Sequence, residues 1–222
     1  MENMENITSR QERMGIEEVG GGSVIEGIGG IGALVLAIVG LLGVAPMMLA
    51  SIATIAAGGA LLVGGGAIAA RYSRVLAGTQ MSYNHEIIGG GMAMESLCGV
   101  AGIVLGVLGL IGLAPLTLLS AAVIVFGAAL LMASASIARL SSLPIRREFE
   151  SAREHYIARD ALYAASGSDV LVGAGAVVLG ILALSGHAPL TLVLVALICV
   201  GASEMLSGTS VAGRVFGSMA FR

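Results

Sequence analysis

The sequence is poor in charged and aromatic side chains. Of its 222 residues only 11% are charged and 4% aromatic, and it contains neither lysine nor tryptophan. An ordinary soluble domain carries about 25% charged residues. The scarcity of charge argues against a conventional soluble domain. The lack of a patch that combines basic and aromatic residues argues against nucleic-acid binding.

Motifs for catalysis, cofactors and metals are also missing. None of the glycine-rich runs follows a strand pattern or ends in Gly-Lys-Ser/Thr, so none predicts a phosphate-binding loop. The histidines occur singly, and no Ser-His-Asp or Cys-His arrangement can be identified. Cys98 and Cys199 lie in apolar stretches at different depths, which argues against a disulfide. We therefore expect no enzymatic activity, no cofactor and no metal site.

Long apolar stretches dominate the chain instead. The sequence is 57% hydrophobic with 34 glycines, and its mean hydropathy is +0.98. These values predict an integral membrane protein whose main partner is the lipid bilayer. Each apolar segment is close to the ~20 residues that cross about 30 Å of hydrocarbon. The six predicted spans are 24–43, 47–70, 92–112, 116–138, 168–185 and 190–213.

The tetrapeptide Gly-x-Ala-Pro occurs three times, each time between two of these spans. Glycine at the end of one helix and proline at the start of the next are typical of a tight turn. Small residues precede each proline at helical spacing, which favours close helix packing in a membrane. The fold class predicted is an all-α membrane protein with six transmembrane helices, arranged as three tandem helical hairpins with an internal pseudo-three-fold repeat. The turn residues are Gly43, Pro46, Gly112, Pro115, Gly186 and Pro189.

The arginines divide the chain into membrane and cytoplasmic parts. All eleven lie in the termini, the linkers or the helix ends that meet them, so the positive-inside rule predicts an inner-membrane protein with cytoplasmic termini. A charged amphipathic helix is predicted at 146–160, and the glycine triplet 89–91 is predicted to mark a bend into the membrane. The predicted hairpins are 24–71, 92–140 and 168–214, separated by linkers 72–91 and 141–167 and flanked by an N-terminal segment 1–23 and a tail 215–222.

An acidic residue lies twenty positions before the proline of each repeat. These acids are Glu26, Glu95 and Asp169. Twenty helical residues span about 30 Å, which places them near the cytoplasmic boundary, on the face that carries the small residues. The arginines that close the three repeats are candidate ion-pair partners: Arg71, Arg139 and Arg214. Two interpretations stay open, a ring of functional carboxylates around a cytoplasmic vestibule or acids that favour helix N-termini with arginines as anchors.

Glu204 has no acidic counterpart in the other repeats, where the equivalent residues are Leu61 and Leu130. It lies about 22 Å along the helix from the turn, inside the hydrocarbon. An unpaired charge there costs at least ~2.5–3.5 kcal/mol. Glu204 is therefore a candidate for a functional role, including a contact with another subunit. The alternative is a protonated side chain that hydrogen-bonds a neighbouring helix.

The repeated unit also resembles a known family. The pattern Ala37-Ile38-Val39-Gly40-Leu41-Leu42, followed by Pro46, Gly58, Gly65 and Arg71, is similar to the membrane repeat of the HdeD-like acid-resistance proteins, the DUF308 group. The resemblance covers roughly residues 24–214. It implies an inner-membrane protein of three hairpins that is linked to acid or general stress and has no assigned enzymatic activity.

Three functions are consistent with the sequence. The first is a non-enzymatic, HdeD-like protein in acid or envelope stress tolerance, acting through helix packing, homo-oligomer formation or contacts with a membrane-complex partner. The second is a small proton or cation channel or transporter that uses Glu204 and the repeat acids. The third is a membrane anchor or scaffold that docks a complex through its charged linkers.

Overall fold

A computed structural model describes the backbone of residues 24–77, 85–141 and 152–220, and the side chains of 24–65, 94–134 and 167–208. All regular structure in these ranges is helical, and no strand occurs in them. The helices, numbered in chain order, are α1 Val24–Leu41, α2 Pro46–Ala77, α3 His85–Leu110, α4 Pro115–Ser141, α5 Ala152–Leu184 and α6 Pro189–Ala220.

Each Gly-x-Ala-Pro motif forms the turn between two consecutive helices. The glycines have φ of 91°, 87° and 89°, and the alanines before the prolines have φ of 39°, 36° and 39°. In the second turn, the amide of Gly112 donates to the carbonyl of Gly109 at 3.1 Å, and that of Leu113 donates to Leu108 at 3.1 Å. These two bonds define a Schellman cap, which requires a left-handed residue after the helix. The proline then takes the first position of the next helix, where its missing N–H leaves no bond unmade.

The helices extend further into the predicted linkers than the spans alone require. Helix α2 continues to Ala77 and α3 begins at His85. Residues 89–91 lie inside α3, so the predicted bend at this glycine triplet is wrong. The charged segment predicted at 146–160 overlaps the start of α5, which then continues to Leu184 as one helix. Short-range hydrogen bonding along the helix evidently outweighs the backbone freedom of three consecutive glycines.

The even-numbered helices form the interior of the bundle. Helices α2, α4 and α6 contact one another pairwise and supply every large buried apolar side chain among the described residues, including Leu61, Phe126 and Leu197. Helices α1 and α5 contribute only alanines to that core, and the described part of α3 contributes no buried apolar side chain to it. All three helices expose many branched apolar side chains. A large apolar outer surface is what lipid requires of a membrane helix.

Facing glycines join three pairs of helices. A Cβ placed on any of these glycines would lie only 2.5–2.7 Å from the carbonyl oxygen of the glycine opposite. Backbones that approach so closely gain packing and leave no room for a side chain. All three contacts lie within one chain. The pairs are Gly58 with Gly99 between α2 and α3, Gly127 with Gly173 between α4 and α5, and Gly201 with Gly30 between α6 and α1.

Length and composition identify the protein as a multi-pass membrane protein. Five helices are long and apolar enough to cross a bilayer, and the sixth, Met94–Leu110, is apolar but shorter within the part of the chain that the structure describes. The fold thus agrees with the predicted all-α membrane class. Cys98 and Cys199 are not joined in a disulfide.

Candidate functional site

The four candidate acids belong to four different helices and lie at the end of the bundle away from the Gly-x-Ala-Pro turns. Glu26 lies in the first turn of α1, and its carboxyl group lies against the backbone of α2 at Gly64. A Cβ on Gly64 would be 2.7 Å from Cδ of Glu26 and 2.8 Å from its Oε2. A side chain at this position would therefore displace the carboxyl group of Glu26.

Asp169 lies on α5 and faces α6. Its Oδ1 accepts a short hydrogen bond from the hydroxyl of Ser203, which is itself buried. The residues equivalent to Ser203 in the other repeats are Ala60 and Ala129, neither of which can donate such a bond. The carboxyl group of Asp169 is therefore held by a polar contact between α5 and α6, which Ala60 and Ala129 could not make at the corresponding sequence positions.

Glu204 is the most deeply buried of the acids. Its side chain is 2% exposed, and neither carboxyl oxygen has a hydrogen-bond partner among the described residues. Its Cβ lies against Gly30 of α1, 2.8 Å from the place that a Cβ on that glycine would occupy. Glu26 precedes Gly30 by four residues, about 6 Å along the helix. Glu204 thus lies about one turn deeper in the bundle than the first repeat acid.

The carboxyl groups are close enough to interact electrostatically. Asp169 and Glu26 both act on Glu95, while Asp169 also acts on Glu26. Glu204 interacts in the same way with Glu26 and Glu95. We call these four side chains the carboxyl cluster. Any two of these carboxyl groups that are ionised together repel each other more in a low-dielectric interior than in water, because Coulomb energy rises as the dielectric constant falls.

The other buried polar side chains do not extend the cluster toward the turns. The hydroxyls of Ser51, Thr54 and Ser120 each donate to the carbonyl four residues earlier in their own helix. The buried residues around them are alanine, valine, leucine and phenylalanine. In the described ranges, the region between the cluster and the turns is therefore an apolar core without a continuous polar path.

The Gly-x-Ala-Pro turns carry few polar side chains. Ser185 and His187 are hydrogen-bonded at 2.9 Å through Oγ and Nδ1, and both residues are exposed. No group of three or more His, Cys, Asp or Glu side chains that could hold a metal ion occurs among the described residues.

The structure brings together all four predicted acids but leaves their predicted partners outside its described side chains. Arg71, Arg139 and Arg214 lie in parts of the helices where only the backbone is described. The sequence interpretation missed Ser203 and Gly64. Ser203 could have been found because, like Glu204, it departs from the two other repeats. Gly64 gave no signal, since small residues are common throughout these helices.

Comparison with models of protein families, with curated proteins and with solved structures finds no match.

Proposed function

We propose that this chain is a non-enzymatic inner-membrane protein that contributes to acid or envelope stress tolerance, and that the carboxyl cluster is its proton-responsive part. The observation that carries the proposal is the environment of Glu204, whose side chain is buried in the bundle and has no hydrogen-bond partner among the described residues. Intramembrane acids are costly, and their presence is a mark of function. The HdeD-like resemblance of the repeat supports the same role.

The proposed architecture is three tandem hairpins with a pseudo-three-fold repeat. The three glycine crossings support it, because each joins the second helix of one hairpin to the first helix of the next and the third crossing closes the ring. The nearly equal backbone angles of the three turns support it as well. The arginine distribution places both termini and both linkers in the cytoplasm in this proposal.

Proton uptake by the cluster would remove repulsion among its carboxylates. The titratable groups that face one another are Glu26 from α1, Glu95 from α3, Asp169 from α5 and Glu204 from α6, while the described parts of α2 and α4 add none. Fewer negative charges in the interior lower the electrostatic cost of keeping the helices together. The bundle would then be more stable in acid than at neutral pH.

Survival of cells in acid tests the role. A strain lacking the gene is complemented with wild type, with Glu204→Gln, or with Glu150→Gln, which makes the same change of charge in the predicted linker. We expect wild type and Glu150→Gln to restore survival and Glu204→Gln to fail, with equal amounts of protein in the membrane. Full restoration by Glu204→Gln, or no survival defect in the deletion strain, would rule the role out.

A proton or cation channel is the alternative that uses the same acids. The apolar core between the cluster and the turns argues against it, since conduction requires polar or water-lined passage across the whole membrane. Flux in proteoliposomes at the level of empty liposomes is the expected result. Flux that Glu204→Gln abolishes would establish the channel instead. The scaffold alternative depends on linkers 72–91 and 141–167, where the structure describes no side chain.

A further inference from the structure

The contact between α1 and α6 differs from the contact between α4 and α5 in the residue beside the facing glycines. We call these two contacts the α1–α6 seam and the α4–α5 seam. A Cβ on Gly173 would be 3.2 Å from Cβ of Leu130, whereas a Cβ on Gly30 would be 2.8 Å from Cβ of Glu204. Leu130 and Glu204 hold equivalent positions in their repeats. The same place is therefore apolar in the α4–α5 seam and carries a carboxyl group in the α1–α6 seam.

Acidic side chains lie on both sides of the α1–α6 seam. Glu26 belongs to α1, and Glu204 belongs to α6, where its side chain is buried. Ser203 of α6 also holds the carboxyl group of Asp169. Glu95 of α3 acts on Glu204 as well, while the described parts of α2 and α4 carry no titratable side chain. Ionisation of these acids therefore places negative charge on both sides of one seam.

The end of the α1–α6 seam nearer the turns is apolar. Gly40 of α1 lies against Leu194 of α6, whose Cδ2 would be 3.0 Å from a Cβ on that glycine. Ala33 and Ala37 of α1 are fully buried. Close packing of apolar groups does not depend on protonation, so this end of the seam should stay closed at every pH. It can act as the hinge for a movement at the end that carries the acids.

Chain connectivity also sets the α1–α6 seam apart. Helices α2 and α3 are consecutive and separated by residues 78–84, and α4 and α5 are consecutive and separated by residues 142–151. A connecting segment keeps the helix ends that it joins at high local concentration. No segment directly connects the ends of α1 and α6 at the carboxyl cluster, so contacts between helices keep these two ends together.

We propose that the α1–α6 seam opens at the carboxyl cluster when Glu204 loses its proton and closes when Glu204 is protonated. An unpaired carboxylate inside the hydrocarbon is costly, and an ionised Glu204 repels the charge on Glu26 across the seam. Separation of the two helix ends admits water, which lowers both costs. This inference rests on the proton response proposed above for the cluster and specifies which helices move.

Distances between paired spin labels, measured in lipid nanodiscs, test the opening. Ile28 of α1 and Leu206 of α6 are exposed, and so are Leu171 of α5 and Met132 of α4, which hold the equivalent positions at the α4–α5 seam. Each pair is changed to cysteine and labelled, with the two native cysteines replaced by alanine. Between acidic and mildly alkaline buffer, we expect the distance across the α1–α6 seam to lengthen by several ångströms. The distance across the α4–α5 seam should stay constant.

Exchange of the two equivalent residues provides the matched variants. Glu204→Leu should keep the label distance across the α1–α6 seam short at every pH, and Glu204→Gln replaces it if the leucine variant does not fold. Leu130→Glu places a carboxyl group beside Gly173 and should make the distance across the α4–α5 seam depend on pH. A constant α1–α6 distance in wild type, which an arginine paired with ionised Glu204 would produce, overturns the opening. Lengthening that persists without the Glu204 carboxylate overturns it too.

The opening and the proton response of the cluster can fail separately. If the distance across the α1–α6 seam is constant but the free energy of unfolding still rises in acid, the opening is wrong and the proton response stands. If neither quantity depends on pH, both are contradicted. Survival of the complemented strains in acid reports on the biological role and is independent of the label distances.

Discussion

Gly30 of α1 and Gly201 of α6 lie in reciprocal contact, each against the carbonyl oxygen of the other. A Cβ on either residue would be 2.7 Å from that oxygen. The contact joins the first and the last helix of the described chain. It also places Glu204, three residues after Gly201, beside α1 and within reach of the charge on Glu26. The contact that packs α6 against α1 thus also brings Glu204 to the carboxyl cluster.

Alanine at Gly30 should destabilise the bundle. The new methyl group would lie 2.6 Å from the amide nitrogen of Met205, and overpacking of this kind costs about 1–3 kcal/mol. Gly32→Ala on the same helix meets nothing within 4 Å and should raise stability by about 0.5–1 kcal/mol through helix propensity. Unfolding in mixed micelles measures both variants. Equal effects would show that the glycines are not packed as described.

Leucine at position 204 should stabilise the protein. Leu61 and Leu130 occupy the equivalent positions and are buried, so a leucine is compatible with the repeat. Removing an unpartnered buried carboxyl group should recover about 1–3 kcal/mol of unfolding free energy. The reverse change, Leu130→Glu, should lower it by a similar amount. A loss of stability in Glu204→Leu would mean that the carboxyl group makes a stabilising contact.

Alanine at Ser203 should loosen the contact between α5 and α6. The hydroxyl donates to Asp169, and a hydrogen bond to a charged group contributes about 1.5–3 kcal/mol. Ser120→Ala is the matched control, because this buried hydroxyl bonds only the carbonyl of Leu116 in its own helix. In thermal unfolding, the melting temperature of Ser203→Ala should be clearly lower than that of Ser120→Ala. If Ser120→Ala lowers stability by as much, the hydrogen bond between α5 and α6 contributes no more than one within a single helix.

Substitutions in the turns should change stability only through the backbone conformation that each residue must adopt. Gly112 has φ of 87° and open space around a new Cβ, so Gly112→Ala should cost about 1–2 kcal/mol through the left-handed conformation. Ala114 has φ of 36°, so Ala114→Gly should be close to neutral, as relieved strain offsets the entropy of glycine. Chemical unfolding of the two variants provides the comparison. A neutral Gly112→Ala would contradict the Schellman cap.

The sequence predicted the parts of this fold that depend on local chemistry. Glycine and proline at fixed spacing located the turns, and the length of the apolar segments located the helices. The pattern of small residues predicted which face of each helix packs. It did not identify the partner, because Gly58 could contact any small face. The structure pairs it with Gly99 of α3.

The site was predictable to a similar extent. Glu26 was placed on the packed face because it precedes Gly30 by one helical turn. Its contact with Gly64 depends on how α1 and α2 are rotated relative to each other, and no local pattern specifies that rotation. Residues 89–91 show the reverse case. Their three glycines predicted a bend, but the helix is continuous there, because the regular hydrogen bonding of a long helix outweighs the local preference.

The contact between Gly30 and Gly201 has a consequence for biogenesis. Helix α1 is translated before α6, which covers its glycine face, so Gly30 has no packing partner of this kind until α6 has been made. In the meantime the contact of Glu26 with α2 at Gly64 can already form. A chain interrupted after α5 would leave the small-residue face of α1 uncovered and the other three acids without Glu204. The four-carboxyl arrangement therefore forms only when synthesis of α6 is complete.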